Sequence, residues 1–246
     1  MPRRPPGSRA DSVWHRPAPA TTPGRTAPAF SREEIAQAAI GLADSAGLEA
    51  VSMRRIAERV GCAPTSIYWY VSDKDELYEL MIDAVIGEVD LSAGRTGDWR
   101  ADLAAIAWAT LAVTRRHRWF GQLGIHPVPG PGTLRYASVA LGALRPLELD
   151  EPTAINVLAT LNNYVAGFAA REVAWQQFRA RGAAAGMEIA AGPPQDAVAG
   201  NGPNREPADD AAPGFDLSAR LTLTGDESFA FGLDRFLDGL AVMVRR

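Results

Sequence analysis

Between Pro64 and Lys74 the chain crowds two adjacent small hydroxyls, Thr65 and Ser66, three adjacent rings, Tyr68, Trp69 and Tyr70, a further hydroxyl, Ser72, and its only lysine. None of these groups is a strong nucleophile or base at neutral pH. Their common skill is contact with polyanions and base edges. Thr and Ser hydroxyls bond to bases or phosphates, Tyr hydroxyls reach phosphate oxygens, and an ammonium pairs with phosphate as a point charge. Successive helical residues turn by about 100°, so three neighbouring rings cannot share one buried face, and at least one must point outward. Lys74 would stand in the first turn of the following helix, where the helix dipole disfavours a cation. A phosphate partner accounts for that placement.

The elements around these residues are legible from caps and periodicity. Ser31 with Glu34 forms a capping box, and Phe30 with Ile35 a hydrophobic staple. Ile35, Ala38, Ala39, Leu42 and Ala46 then repeat at helical spacing until Gly47. Ser52 caps a second helix carrying Ile56, Ala57 and Val60, and Gly61 breaks it. Pro64 opens a third, short helix to about Tyr70. Ser72 with Asp75 opens a long fourth helix with Leu77, Leu80, Met81, Ala84 and Val85 inward. Two short helices joined by a Gly turn and packed on a preceding helix make a helix-turn-helix, whose second helix enters the major groove of DNA.

The segment MRRIAERVGCAPTSIYWYVSDKDELYELMIDAV, residues 53–85, resembles the DNA-binding domain of the TetR family of bacterial repressors. Ile56-Ala57, Gly61, Ile67-Tyr68, Trp69-Tyr70 and Lys74 with Leu77 carry the resemblance. The Tyr68-Trp69 pair and the closing FGLDRFLDGL, residues 231–240, are similar to the tetracycline-repressor branch. The resemblance implies that Arg54 holds the DNA backbone. It places Pro64, Thr65 and Ser66 at the groove-reading positions and makes Tyr68, Tyr70 and Lys74 phosphate clamps, with Trp69 among them. The tetracycline repressor's magnesium–drug site does not carry over: Asp90 and Ile106 fall where that protein uses His and Asn. No metal or other cofactor is expected.

The rest of the chain is read as larger and wholly helical, so the fold class is all-α. Residues 1–29 form a Pro-, Ala- and Arg-rich arm, expected to be disordered, with Arg3, Arg4, Arg9, Arg16 and Arg25 against Asp11. Residues 30–90 make the helix-turn-helix domain. After a Gly-rich break, residues 98–246 make a ligand-binding and dimerisation domain, interrupted by a flexible Gly/Pro-rich insertion at 182–214. The long helix from Asp150 shows two apolar faces, one of Ile155, Leu158, Val165 and Ala169, the other of Val157, Leu161, Tyr164, Phe168 and Trp175. One face would bury in its own domain and the other against a second copy, as the resemblance to homodimeric regulators also implies.

A small-molecule pocket needs polar groups stranded on apolar faces. Thr110 and His117 continue the Leu103–Ile106–Val113 stripe, Asn162 interrupts the Ile155–Leu158–Val165 stripe, and Arg171 follows Phe168 by one turn. His126 opens the loop that lies beside the pocket in the resembling proteins. An enzyme would need a nucleophile motif, metal-ligand spacing or a phosphate-cradling loop, and His117, His126 and Glu172 show none of these patterns. The net charge of −4, the single Cys62 and the lack of a long apolar run fit a cytoplasmic protein in a reducing compartment. The expectation is a repressor that binds a palindromic operator as a homodimer and is released by a small, largely apolar molecule. An activator without a ligand is the alternative, and an all-helical enzyme a remote one.

Overall fold

The computed structural model describes residues 12–15, 30–93, 95–123, 130–184 and 225–244, and every regular element among them is helical. Helix α1 (Arg32–Ala46) begins at the expected capping box: the Ser31 Oγ accepts from the Glu34 N–H at 3.2 Å, and a Glu34 carboxylate oxygen accepts from the Ser31 N–H at 2.6 Å. Helix α2 (Met53–Val60) is capped by Ser52 and ends at Gly61, whose φ of 80° is left-handed backbone that a side chain would strain. The N–H groups of Gly61 and Cys62 both return to the Ala57 carbonyl at 2.9 Å, which folds the chain tightly into α3 (Pro64–Ile67).

Two details depart from the sequence reading. Regular helix stops at Ile67 instead of Tyr70, because Ile67, Tyr70 and Val71 must all reach the core. The chain therefore turns, with the N–H groups of Tyr70 and Val71 both donating to the Ile67 carbonyl at 2.9 and 3.1 Å. Helix α4 (Lys74–Gly87) is capped by Asp73, not Ser72. The Asp73 carboxylate accepts from the Glu76 N–H at 2.9 Å, and Glu76 accepts in turn from the Ser72 N–H at 2.6 Å. An Asp acceptor beside the positive end of a helix outcompetes a Ser placed one residue too early.

Helices α5 (Trp99–Arg116), α6 (Pro131–Ala143), α7 (Glu151–Ala184) and α8 (Asp226–Val244) build the second layer of the molecule, and α4 packs on both α1 and α6. Helix α5 is capped by Asp98, and its Leu103–Ile106–Thr110–Val113 stripe is buried as expected. Beyond α5 a short 3-10 turn spans Phe120–Gln122. Part of the second apolar face of α7 is covered within the same chain: Leu161 and Phe168 are buried, Phe168 packs on Phe229 of α8, and the Tyr164 hydroxyl donates to the Phe229 carbonyl at 2.7 Å. Trp108, Tyr164 and Phe168 surround the fully buried Phe229 at 4.6, 5.2 and 5.1 Å between ring centres. Arg115 ties the same three helices together, donating twice to Glu172 at 2.8 Å and pairing with Asp226 at 2.8 Å.

Residues 12–15 also differ from expectation. Within the arm read as disordered, Val13–His15 forms a 3-10 turn packed against α4, and Val13 is fully buried. The remainder of the arm, and residues 185–214 of the expected insertion, lie outside the described residues. Gly182 to Ala184, assigned to that insertion, belong to α7.

Candidate nucleic-acid interface and ligand pocket

At the α2–α3 end, burial sorts the predicted contact residues. Ile67 is fully buried and anchors α3, so Pro64 and Thr65 face solvent with Ser66 beside them. Tyr68 and Trp69 are 53% and 69% exposed, a large apolar area left uncovered next to the hydroxyls. Lys74 is exposed, with its ammonium 5.4 Å from the Tyr78 ring centre. Arg54 stands on the first turn of α2 and reaches Glu58 at 3.0 Å, both side chains in solvent. A surface pair of this kind holds little energy, so the guanidinium remains accessible to a phosphate.

Tyr70 does not join this set. It is 5% exposed, and its ring lies 4.8 Å from that of Phe30, tilted at 45°. Burial, with smaller contributions from Cys62 and Glu34, pushes its hydroxyl above the usual phenol range. The sequence reading was right that three adjacent rings cannot all be buried. Packing decided which one went inside. Cys62 is half-buried in the turn, and burial raises its thiol too, which disfavours the reactive thiolate.

A second feature lies further along α4, from Glu79 to Ile86, about 7.5 to about 18 Å from Lys74 at a rise of about 1.5 Å per residue. A cavity of about 330 Å³ lies between α4, α5, α6 and α7. Helix α7 supplies a wall of small side chains, Ala159, Ala166, Ala169 and Ala170, while Ile82, Ile86, Phe120 and Val173 add bulk. Thr110 and Asn162, expected from the sequence, both line it, and Tyr136 links them. The Tyr136 hydroxyl donates to the Asn162 Oδ1 at 2.6 Å. The Thr110 hydroxyl donates to the Ile106 carbonyl at 2.8 Å, which leaves its 3.4 Å approach to the Tyr136 oxygen a loose contact. Burial raises the Tyr136 phenol, partly offset by Thr110, so it stays a neutral donor. With Oδ1 engaged, the Asn162 amide N–H₂ is the donor side of the carboxamide.

Two predicted pocket residues are elsewhere. His117 is the first residue past α5, and its side chain leaves the cavity-facing stripe because the helix has ended. Its ring sits instead between Asp44 of α1, 2.9 Å from Nδ1, and Glu88, 3.1 Å from Nε2. The Trp119 indole also donates to Asp44 at 2.7 Å, and Arg116 reaches Glu88 at 2.8 Å. These contacts fasten the end of α5 to the helix-turn-helix side of the molecule, immediately before Phe120 and Gly121 enter the cavity wall. Arg171 lies on the outer side of α7 over the Phe168 ring at 5.0 Å. His126 lies outside the described residues.

The sequence reading missed Glu79, Asp83, Arg118 and Tyr136, all of which line the cavity. A signal existed for the first two: carboxylates one turn apart on a helix whose other face is apolar. Asp83 is already committed, accepting from the N–H groups of Gly132 at 3.0 Å and Thr133 at 2.8 Å. It thereby caps α6 from the neighbouring helix. Asp90 is exposed, and Ile106 is buried in the core. Among the described residues no group of His, Cys, Asp and Glu is arranged to hold a metal ion, and no helix is long and apolar enough to cross a membrane.

Two family models match this arrangement. Residues 35–81 match the bacterial regulatory proteins of the tetR family, and residues 92–244 match the tetracyclin repressor-like C-terminal domain. The chain belongs to the TetR family. Among its TetR relatives is the HTH-type transcriptional repressor DrrR1 of Streptomyces coeruleorubidus, 34% identical over 227 residues that cover 88% of this chain and 79% of that protein. An HTH-type transcriptional regulator of Saccharopolyspora erythraea is 33% identical over 166 residues, 67% of this chain and 69% of that one. The Streptomyces coelicolor TetR family protein ActR, solved in complex with actinorhodin, shares the fold with a TM-score of 0.67 at 22% identity. That match covers 89% of this chain and all of the other. TetR proteins are transcriptional regulators that bind DNA and small-molecule ligands.

Proposed function

We propose that this protein is a ligand-responsive transcriptional repressor that binds a palindromic operator as a homodimer and is released by a small, largely apolar, ring-bearing molecule. Residues 30–90 read the DNA, and residues 98–246 hold the ligand and the second subunit. One observation carries the reading: α4 belongs to both sites. Its first residue, Lys74, is exposed and follows the exposed Tyr68 and Trp69 by a few residues in the chain, while Glu79, Ile82, Asp83 and Ile86 form one wall of the cavity. A ligand that fits one setting of that wall better than another shifts the position of α3 by the difference in its two affinities.

The proposed docking surface is Arg54, Pro64, Thr65, Ser66, Tyr68, Trp69 and Lys74, with Tyr70 serving as its buried support. In the pocket, the flat Ala wall of α7 suits a planar ring system. The Asn162 amide and the Arg118 guanidinium suit carbonyl or phenolate oxygens on its edge. ActR in complex with actinorhodin, and a TetR variant of Acinetobacter baumannii in complex with minocycline, give precedent for ring-bearing ligands on this fold. The exposed Ile155, Phe231, Val242 and Met243 of α7 and α8 would bury against a second copy. Such a pair sets two α3 segments about one DNA turn apart, ~34–36 Å.

The decisive experiment selects bound DNA from a random library and reads its symmetry. A two-fold repeated half-site supports the reading, and release of that DNA by an oxygenated polycyclic compound completes it. Recovery of no enriched sequence by folded protein refutes it.

A further inference from the structure

We infer that Ser12, Val13 and Trp14 form a stopper on the rim of the cavity and control how fast a ligand enters. The inference rests on the proposal that the cavity takes a small molecule. The Ser12 hydroxyl donates to Glu79 Oε2 at 2.7 Å, and the Val13 N–H approaches the same oxygen at 3.3 Å. Ser12 is 4% exposed and Val13 fully buried, far more than a surface turn of three residues needs for its own sake. Trp14 packs its indole against Gly130, the residue before α6, and against the side chain of Asp83; a Cβ on Gly130 would collide with both. Glu79 and Asp83 are cavity-lining residues. The segment thus lies across α4 and the start of α6, held by two residues that also line the cavity.

The seat is also built to be vacated. The Trp14 indole N–H is buried and finds no acceptor among the described residues, although the indole edge that bears it abuts Gly130 and Asp83. Asp83, whose two oxygens accept from the start of α6, does not take this proton. A buried donor without a partner destabilises the docked state relative to the open one, where water satisfies it. Docking by apolar burial and one good hydrogen bond, opposed by one orphan donor, is the balance expected of a gate and not of a permanent wall.

Opposite variants test this. Val13→Asp places a charge that cannot be buried and should expel the segment; Trp14→Phe keeps a ring and removes the orphan N–H, so the segment should seat more firmly. The probe is 1-anilinonaphthalene-8-sulfonate, whose fluorescence rises on entry into an apolar site, followed by stopped flow on full-length protein. Uptake should be at least tenfold faster in Val13→Asp than in wild type and several-fold slower in Trp14→Phe, with circular dichroism unchanged. If Val13→Asp does not fold, the Trp14→Phe rate, with hydrogen exchange at the Val13 amide of the wild type, decides. A slowed rate and a protected amide sustain the inference, and an unslowed rate or an unprotected amide overturns it. Equal uptake by all folded proteins overturns it while leaving the pocket intact. No uptake by any of them sinks the pocket reading, and this inference with it.

Discussion

Tyr68 and Tyr70 stand two residues apart in the sequence but on opposite sides of the protein surface, and that separation yields a sharp test. If a tyrosine hydroxyl donates to a DNA phosphate, its removal costs a hydrogen bond to a charged group, about 1.5–3 kcal/mol, or roughly 10- to 150-fold in affinity per half-site. Tyr68 is 53% exposed, so its hydroxyl exchanges water for phosphate on binding, and Tyr68→Phe should fall near the lower end, about tenfold per half-site. Tyr70 is 5% exposed and packed at a tilt against Phe30, so Tyr70→Phe should leave operator affinity within about twofold. Its effect belongs to folding instead, a change of about 1 kcal/mol or less in unfolding free energy. Lys74→Ala differs from both because it removes a charge. In a dimer it deletes two counterion-releasing contacts, which should lower the slope of log K against log salt by about 1.8, whereas neither Tyr variant should change that slope. Fluorescence anisotropy of a labelled operator between 50 and 300 mM salt, alongside urea melts, measures all of these quantities. A tenfold or greater loss of affinity in a natively folded Tyr70→Phe protein would refute the assignment of this ring to the core.

Other expectations follow from the same structure. Asn162→Leu, which removes one of the two amide side chains lining the cavity and takes away the acceptor of the Tyr136 hydroxyl, should abolish release by ligand while leaving operator binding intact; a reporter strain with and without ligand reads both. Phe231 is 65% exposed on α8, so Phe231→Arg should yield a monomer by sedimentation and a weakened operator complex, and an unchanged dimer would remove α8 from the interface. Burial alone would raise the Asp102 carboxyl, but the Thr96 hydroxyl and the N–H groups of Thr96 and Gly97 hold it below the usual carboxylate range. Because that value is lowered on folding, the stability it contributes is complete above about pH 4 and is lost as pH falls through the folded value. Wild type should therefore melt higher than Asp102→Asn at pH 7, and the gap should close in acid.

Local signals were enough to place most helices. The Ser31–Glu34 box, the Ser52 cap, Gly61 and the apolar stripe of α5 each act over one or two turns, where capping and side-chain spacing decide conformation without help from afar. The same locality made the helix-turn-helix legible and left Pro64, Thr65, Tyr68 and Lys74 where they were expected, on the surface.

What the chain could not announce is which way each polar or aromatic group turns once distant helices meet. Thr110 and Asn162 face the cavity, whereas His117 turns to Asp44 because α5 has ended and a carboxylate 73 residues away in sequence offers a partner. Tyr70 packs on Phe30, Tyr164 and Phe168 of α7 pack on Phe229 of α8, and Val13 is buried where its turn meets α4. Local order follows from short-range sterics and hydrogen bonds that a sequence spells out directly. Partner choice between far segments follows from close packing, and only the assembled tertiary structure settles it.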